Sequence, residues 1–193
     1  MRKIGVLGGS FDPVHIGHLH IADYALTNLK LDYILFVPDL KSPYKKTKKY
    51  NADYIRRLDM LKIAVKKERR FKVSEIAKKI KGYTYTIEVL KKLKKNFSDS
   101  DLYLILGLDS FYDLRNWKDY EEIIKSCRLV IFKRPGLNVR NIRSNDRTIF
   151  ISKTEINISS SEIRKSILVD KSCRYLLPDG IFDYIKKNHL YGL

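Results

Sequence analysis

Cysteine and long apolar segments are scarce in this sequence, and each scarcity excludes a class of protein. Only Cys127 and Cys173 occur among the 193 residues, far apart and outside any Cys-x-x-Cys spacing. This argues against a disulfide framework and a structural zinc site, so we expect two reduced cysteines with structural roles. No apolar stretch approaches the ~20 residues of a membrane span, and no apolar region of signal-peptide length opens the chain. We therefore predict a cytoplasmic protein without a membrane segment.

Acidic residues are few relative to basic ones. The 39 Lys and Arg against 22 Asp and Glu give a formal net charge of +17, and such a charge attracts polyanions in general. Most of the excess is lysine, in clusters such as residues 78–81 and 91–95 that surround apolar residues at helical spacing. A solvated helix surface in a lysine-rich composition is the simplest interpretation. The charge alone does not distinguish a nucleic acid from a small anionic substrate.

Short apolar runs alternate with amphipathic segments along the chain, which is 44% hydrophobic. This alternation is typical of parallel strands joined by crossover helices. It predicts strands at residues 2–7, 33–37, 71–74, 102–106, 128–132 and 148–151, and helices at about 17–29, 53–67, 86–95, 119–126, 160–168 and 181–187. Because no linker or repeat divides the chain, we predict one domain over residues 1–193. Its fold class is α/β, with a single doubly wound, mostly parallel sheet and C-terminal helices packed at one end.

Local signals mark helix starts and loops. Asp53 and Asp119 stand at the starts of the second and fourth helices, where we expect them to act as N-caps. Residues 41–51 contain proline and many lysines without periodicity, which predicts an exposed, mobile loop, and residues 133–146 predict a second loop between the last two strands. Doubly wound sheets bind ligands beyond the carboxyl ends of their strands.

One such end carries the stretch GGSFDPVHIGHLH, residues 8–20. It fits neither GxxxxGK[ST] nor GxGxxG. We expect Gly8 and Gly9 to form a turn whose N–H groups approach a phosphate, at the positive end of the first helix. His15 and His18 can both face the crevice from the helix start and donate to phosphate oxygens. A zinc site would need a third ligand that is not apparent, so we predict anion binding without a metal held by the protein.

The residues His-Ile-Gly-His at 15–18 resemble the (H/T)xGH signature of the nucleotidyltransferase superfamily of α/β phosphodiesterases. Further segments are similar to those of bacterial nicotinate-nucleotide adenylyltransferases, almost from end to end: residues 56–65, 82–90, 107–117, 133–136, 158–164 and 181–191. The resemblance implies a Rossmann-like nucleotidyltransferase fold. It also implies transfer of the adenylyl group of ATP to nicotinate mononucleotide, giving deamido-NAD and pyrophosphate, with Mg²⁺ accompanying ATP.

The resemblance further implies the site residues. The catalytic residues would be His15, His18 and Arg164. The ATP-binding residues would be Gly8, Gly9, Ser10, Phe11, His18, Gly107, Asp109, Ile158, Ser159, Ser160 and Arg164. The residues that bind nicotinate mononucleotide would be Ser10, Tyr44, Lys45, Thr84, Tyr85, Thr86, Tyr112 and Trp117. No metal ligand is among them.

Several of these roles also make physical sense. Ser159 and Glu162 have the spacing of a capping box, which places free N–H groups and hydroxyls at a helix start. Arg164 follows on that helix and can donate to triphosphate oxygens through a fork that lysine lacks. Asp109 stands after the fourth strand, where it would accept from ribose hydroxyls or, alternatively, cap the next helix. Trp117, the only tryptophan, would stack on the pyridine ring or, alternatively, belong to the core.

Two further segments concern the acceptor nucleotide. Many members of the family have Pro-His-Lys where this chain has Pro43-Tyr44-Lys45, so Tyr44 replaces a histidine expected near the mononucleotide phosphate. Residues 84–86, Thr-Tyr-Thr, open the third helix, whose free N–H groups and Thr86 hydroxyl could receive a carboxylate. By resemblance, a further N–H is expected near Tyr112.

Two other functions remain open. The acceptor could be nicotinamide mononucleotide or phosphopantetheine, or the chain could be a basic nucleic-acid-binding protein on a nucleotidyltransferase scaffold. The expected partners are the small-molecule substrates ATP and nicotinate mononucleotide, with no membrane and no specific nucleic acid. The sequence leaves a homo-oligomer open.

Overall fold

The computed structural model describes residues 1–43, 50–133, 147–152 and 158–193, which form a six-stranded sheet covered by helices on both faces. The strands are β1 (Arg2–Gly9), β2 (Tyr33–Pro38), β3 (Phe71–Val73), β4 (Ser100–Gly107), β5 (Arg128–Phe132) and β6 (Thr148–Ile151). The helices are α1 (Ile16–Asn28), α2 (Tyr54–Val65), α3 (Thr86–Asn96), α4 (Leu108–Asp113), α5 (Tyr120–Ser126), α6 (Ser160–Leu168) and α7 (Ile181–Lys187). The six predicted strands and six predicted helices are confirmed, and α4 is additional.

The sheet has the order β3-β2-β1-β4-β5-β6, and every neighbouring pair is parallel. The chain moves outward from β1 to β3, then returns to pair β4 with the other side of β1. The predicted doubly wound α/β fold is therefore confirmed. The reversal of direction between β1 and β4 opens a crevice at the carboxyl ends of these strands, which is where such sheets bind ligands.

The sheet is buried on both faces because two apolar clusters pack against it. One contains Leu26 of α1, Leu61 of α2 and Ile185 of α7. The other contains Leu90 of α3 and Ile123 of α5. Two covered faces explain the nearly continuous apolar runs of the strands, since all six residues of β2 are buried.

The two glycines of the opening motif differ from the prediction. Gly8 and Gly9 are the last residues of β1 and pair with Val37 and Pro38 of β2, so they belong to the strand and not to a turn. The turn begins at Ser10. The end of β1 depends on its pairing with β2 in the folded sheet, so local sequence does not indicate that β1 continues through Gly9.

The predicted N-caps had different outcomes. Asp53 caps α2, since its side chain accepts a hydrogen bond from the main-chain N of Arg56 at 2.9 Å. Asp119 precedes α5 but has a left-handed backbone (φ 52°), and its side chain makes no capping bond, so that prediction was wrong. The N-cap alternative for Asp109 was also wrong, because Gly107 occupies that position and Asp109 lies in the first turn of α4.

Both cysteines are free and buried, as expected for structural thiols. Burial raises the pKa of the Cys127 thiol to about 12, which keeps it protonated and unreactive at neutral pH. Across the described ranges, no helix is long and apolar enough to cross a bilayer. The two predicted loops fall largely on residues 44–49 and 134–146, outside the described residues.

Candidate active site

A cavity of about 190 Å³ lies at the carboxyl ends of β1, β2 and β4. Its lining includes Gly8, Gly9, Asp39, Thr84, Thr86 and Trp117. A Cβ atom at Gly8 or Gly107 would meet no other atom within 4 Å, so these glycines leave the strand ends open. A larger hollow of about 680 Å³ lies among α1, α2 and α7 and includes no predicted site residue.

The first turn of α1 carries both predicted histidines. His15 is the N-cap residue and is 6% exposed, whereas His18 is half-buried. The main-chain N of His15 donates to Nδ1 of His18 at 3.2 Å, and the ring centroids are 3.7 Å apart. A ring nitrogen that accepts a hydrogen bond holds no proton, so neutral His18 carries its proton on Nε2 and can donate from there. The structure thus brings the two histidines together and orients His18.

Asp12, which was not among the predicted site residues, fixes the turn between β1 and α1. Asp12 is 1% exposed. Oδ1 accepts from the main-chain N of Ala52 at 3.0 Å and from the Tyr191 hydroxyl at 2.8 Å, and Oδ2 accepts from the main-chain N of Asn51 at 2.8 Å. Burial and the Asp12 carboxylate raise the pKa of Tyr191. The turn is therefore tied to the segment before α2 and to residue 191.

The predicted capping box at the start of α6 is confirmed. The main-chain N and Oγ of Ser159 donate to Oε2 of Glu162 at 3.2 and 2.8 Å. The main-chain N of Glu162 donates in return to Oγ of Ser159 at 3.2 Å. These bonds engage the Ser159 hydroxyl within α6, while Ile158 before it packs against the core.

The start of α6 contacts the same turn that Asp12 holds. Oγ of Ser160 donates to the carbonyl of Pro13 at 2.8 Å. Nη1 of Arg164 donates to the carbonyl of Asp12 at 2.6 Å, and its Nη2 donates to Oγ of Ser161 at 3.2 Å. The two predicted phosphate sites, the starts of α1 and α6, are therefore joined directly.

The start of α3 forms another part of the cavity. Oγ1 of Thr84 accepts from the main-chain N of Leu40 and of Lys41 at 3.2 and 3.3 Å, which ties this segment to the end of β2. Thr86 is the first residue of α3 and lines the cavity together with Trp117. The first N–H groups of a helix have no acceptor within the helix. The structure thus brings an aromatic ring and a helix N-terminus to one cavity.

The remaining predicted residues are more scattered. Phe11 is 1% exposed with its ring 4.9 Å from that of His18, so its side chain belongs to the core and only its main chain is available to a ligand. Asp109 is exposed on α4, and Tyr112 is 50% exposed. Tyr44 and Lys45 lie outside the described residues.

Arg57 of α2 is a site residue that sequence reasoning missed. It is fully buried and forms an ion pair with the cavity residue Asp39, with 3.1 Å between Nη1 and Oδ1. Arg57 belongs to an Arg-Arg pair at 56–57, but nothing in the sequence distinguishes the buried arginine from the exposed one.

A parallel sheet whose crevice is flanked by a His-x-Gly-His helix start and by a second helix start on the same turn defines a nucleotidyltransferase. In agreement, the family model described as cytidylyltransferase-like matches residues 6–166. Two curated relatives carry the name "Probable nicotinate-nucleotide adenylyltransferase". The one from Clostridium tetani is 36% identical, over 99% of this chain and 100% of its own, and the one from Shouchella clausii is 36% identical, over 100% and 98%. The chain belongs to the nicotinate-nucleotide adenylyltransferase family.

The solved structures support the fold. The nicotinic acid mononucleotide adenylyltransferase of Plasmodium falciparum, complexed with NaAD, is 21% identical and superposes with a TM-score of 0.84. The match covers 99% of this chain and 98% of that one. A second structure of the Plasmodium protein, complexed with APC, gives a TM-score of 0.81 at 21% identity. The predicted family, enzyme class and fold are confirmed.

Proposed function

We propose that this enzyme transfers the adenylyl group of ATP to nicotinate mononucleotide and releases deamido-NAD and pyrophosphate. The observation that carries the proposal is the cavity at the ends of β1, β2 and β4, which combines Trp117 and the start of α3 with the glycines of β1. An aromatic ring suits the flat pyridine, and a helix N-terminus suits an anion. The adjacent turn, held by Asp12 and Arg164, leads into the histidines of α1.

The chemistry requires little from the protein beyond positioning and charge stabilisation. The phosphate of the acceptor is already an anionic nucleophile, so it attacks the α-phosphorus of ATP in line without a general base or covalent intermediate. Nε2 of His18 supplies a donor for the phosphoryl oxygens as negative charge develops there. Arg164 and the N–H groups at the start of α6 stabilise the departing pyrophosphate.

We propose that Mg²⁺ accompanies ATP. The described residues include no group of three or more His, Cys, Asp and Glu that could hold a metal ion. Near the crevice, Asp12 and Asp39 are engaged by hydrogen bonds within the protein. The donor set therefore fits an ion held chiefly by phosphates and water, whose chemistry is to neutralise phosphate charge.

The direct test is pyrophosphate release from ATP with each of three acceptors, nicotinate mononucleotide, nicotinamide mononucleotide and phosphopantetheine, and without an acceptor. The proposal expects release with nicotinate mononucleotide and formation of deamido-NAD. Preference for one of the other two acceptors would assign a different adenylyltransferase reaction. No release with any acceptor, together with steeply salt-dependent binding of RNA or DNA, would favour the nucleic-acid-binding alternative.

Acid-over-amide selectivity is expected to depend on Thr86 and not on Trp117. Stacking treats the two pyridine rings alike, whereas an amide facing only donors leaves polar groups unpaired at about 1–3 kcal/mol. Trp117→Ala should therefore weaken binding of both mononucleotides by similar factors. Thr86→Val should lower the preference for nicotinate by about one to two decades. The measurement is kcat/KM for each mononucleotide.

Thr86→Ser is the control for this selectivity, since it keeps the hydroxyl donor that Thr86→Val removes. It should leave the preference for nicotinate nearly unchanged. Loss of selectivity in Trp117→Ala alone, or a wild-type enzyme that uses both mononucleotides equally, would contradict the role of Thr86.

Arg164→Ala is expected to impair the use of ATP and to leave binding of nicotinate mononucleotide nearly unchanged. The guanidinium of Arg164 contacts Ser161 at the start of α6 and the carbonyl of Asp12 in the turn before α1. This is the side of the crevice proposed for the triphosphate. Calorimetry with each ligand separately, together with KM for ATP and kcat, checks this. Arg164→Lys serves as the control because it keeps the charge but loses the fork. Equal weakening of both ligands would give Arg164 another role.

We further propose that the reaction takes place in the cytoplasm, where ATP is available, with ATP and nicotinate mononucleotide as the partners that matter. The whole of residues 1–193 is proposed to act as one nucleotidyltransferase domain. A homo-oligomer stays open, and sedimentation of the purified protein decides it.

A further inference from the structure

Arg57 is a buried cation that contacts both turns at the edge of the cavity. Its Nη1 donates to the carbonyl of Ser10 at 2.7 Å and to Oδ1 of Asp39 at 3.1 Å. Its Nη2 donates to the carbonyl of Asp39 at 2.9 Å, and its Nε donates to the carbonyl of Ala52 at 3.2 Å. One guanidinium therefore joins the segments that follow β1 and β2 to the segment before α2.

Tyr50 extends this contact along the cavity wall. Its ring centroid lies 4.0 Å from the guanidinium carbon of Arg57, and its hydroxyl accepts from the main-chain N of Ser42 at 2.8 Å. The hydroxyl is also hydrogen-bonded to the Asp39 side chain, and burial together with the Asp39 charge raises the pKa of Tyr50. Asp39 and Ser42 both line the cavity. The side of the cavity formed by Asp39 and Ser42 is thus connected to the same guanidinium that binds the carbonyl of Ser10.

A contribution to folding stability does not by itself account for the presence of the Asp39–Arg57 pair. A buried ion pair costs desolvation energy, and apolar residues of similar volume often replace such a pair without loss of stability. A planar guanidinium with five donors, however, fixes several acceptors at set distances in a way that no apolar side chain can. The four hydrogen bonds of Arg57 use that property, since they meet acceptors in three segments.

We propose that Arg57 is a positioning residue for the transfer reaction. It holds the cavity wall at Asp39, on the side proposed for nicotinate mononucleotide, at a fixed distance from the turn at Ser10, on the side proposed for ATP. The two substrates then meet in line. The inference rests on the proposed function. Its physical basis is that in-line transfer depends on alignment, and a misplacement of about 1 Å can cost on the order of 10²-fold in rate.

The test compares Arg57→Met and Arg57→Lys with Arg56→Met. Arg56 is the matched control because it is the neighbouring arginine on α2, with a side chain 44% exposed that pairs with Asp53 one turn away. We expect kcat at saturating substrates to fall by on the order of 10²-fold in Arg57→Met and less in Arg57→Lys. The Kd of each substrate, measured by calorimetry, should stay within about threefold, which is the pattern of an interaction needed only for the reaction.

Leu61→Ala separates positioning from stability. Leu61 is fully buried on the same helix and packs in the apolar core away from the cavity. If Leu61→Ala lowers Tm by as much as the Arg57 variants do, it should still keep the wild-type kcat. The Arg57 variants should lose kcat. If Arg57→Met does not fold, Arg57→Lys decides. If neither folds, Tyr50→Phe decides, because it keeps the cation and removes only the hydroxyl that joins Ser42 to Asp39, so kcat should again fall.

The opposing results are equally definite. Unchanged kcat in the folded Arg57→Lys and Tyr50→Phe variants, or an equal kcat loss in Leu61→Ala, would overturn the positioning role. A proportional weakening of both substrate Kd values would make Arg57 a binding residue instead. Failure of the proposed function is distinguishable, because the wild-type enzyme itself would then form no deamido-NAD.

Discussion

His18→Ala is expected to lower kcat by about 10²- to 10³-fold, the usual cost of losing one preorganised donor to developing charge. The donor is preorganised because Nδ1 of His18 accepts from the main-chain N of His15, which leaves the proton on Nε2. The measurement is turnover at saturating ATP and nicotinate mononucleotide. Circular dichroism and Tm should show a folded protein, since His18 is only half-buried.

Two amide variants distinguish the roles of the two ring nitrogens of His18. In His18→Asn the amide oxygen can take the place of Nδ1 and accept from His15, so stability should recover while turnover stays low. In His18→Gln the longer amide reaches toward the position of Nε2, so more turnover should remain than in His18→Asn. Near-normal turnover in folded His18→Ala, or full recovery in His18→Asn, would exclude donation from Nε2.

Asp12→Ala is expected to lower the free energy of unfolding by roughly 2 to 6 kcal/mol. The substitution strands two buried donors, the main-chain N of Ala52 and the Tyr191 hydroxyl, and each unpaired donor costs about 1–3 kcal/mol. Urea unfolding with an unchanged m-value measures the loss. Activity should fall as well, because the carbonyl of Asp12 lies under Arg164 in the same turn.

Tyr191→Phe is the matched control for Asp12. It removes one donor and leaves the carboxylate with two main-chain partners, so the expected loss is only about 1 kcal/mol. The double variant should be less destabilised than the sum of the two, because no hydroxyl is then left unpaired. A loss in Asp12→Ala no larger than that in Tyr191→Phe would show that the carboxylate does not hold the turn.

Periodicity and local spacing were sufficient to predict the sheet and six helices. Apolar runs show which segments are covered on both faces, and the capping box of Ser159 and Glu162 depends only on residues that are neighbours in sequence. The same local reasoning failed at Asp119, whose backbone is left-handed, and at Gly8 and Gly9, which stay in β1 because β2 continues beside them. Contacts within one turn of a helix are readable from sequence, whereas the extent of a strand depends on its neighbour.

The candidate site divides along the same line. The positions of the histidines of α1 and of the threonines at the start of α3 were predictable, because they follow from the elements that carry them. Asp12, Asp39 and Arg57 were missed because most of their partners lie between 18 and 179 residues away. The chain contains 39 Lys and Arg and 22 Asp and Glu residues, and the sequence does not indicate which few of them become buried, since burial depends on the packing of distant segments.

The bond between Tyr191 and Asp12 also sets an order of events during synthesis. A ribosome releases the chain from its N-terminus, so Asp12 and the histidines of α1 emerge long before the hydroxyl 179 residues downstream that completes the turn. At about 5–20 residues per second, this interval lasts roughly 10 to 40 seconds. A nascent chain can pair β1 with β2 during that time, but the turn that contains Asp12 is still without its contacts to Arg164 and Tyr191. The proposed site is therefore complete only after all six described strands have been translated.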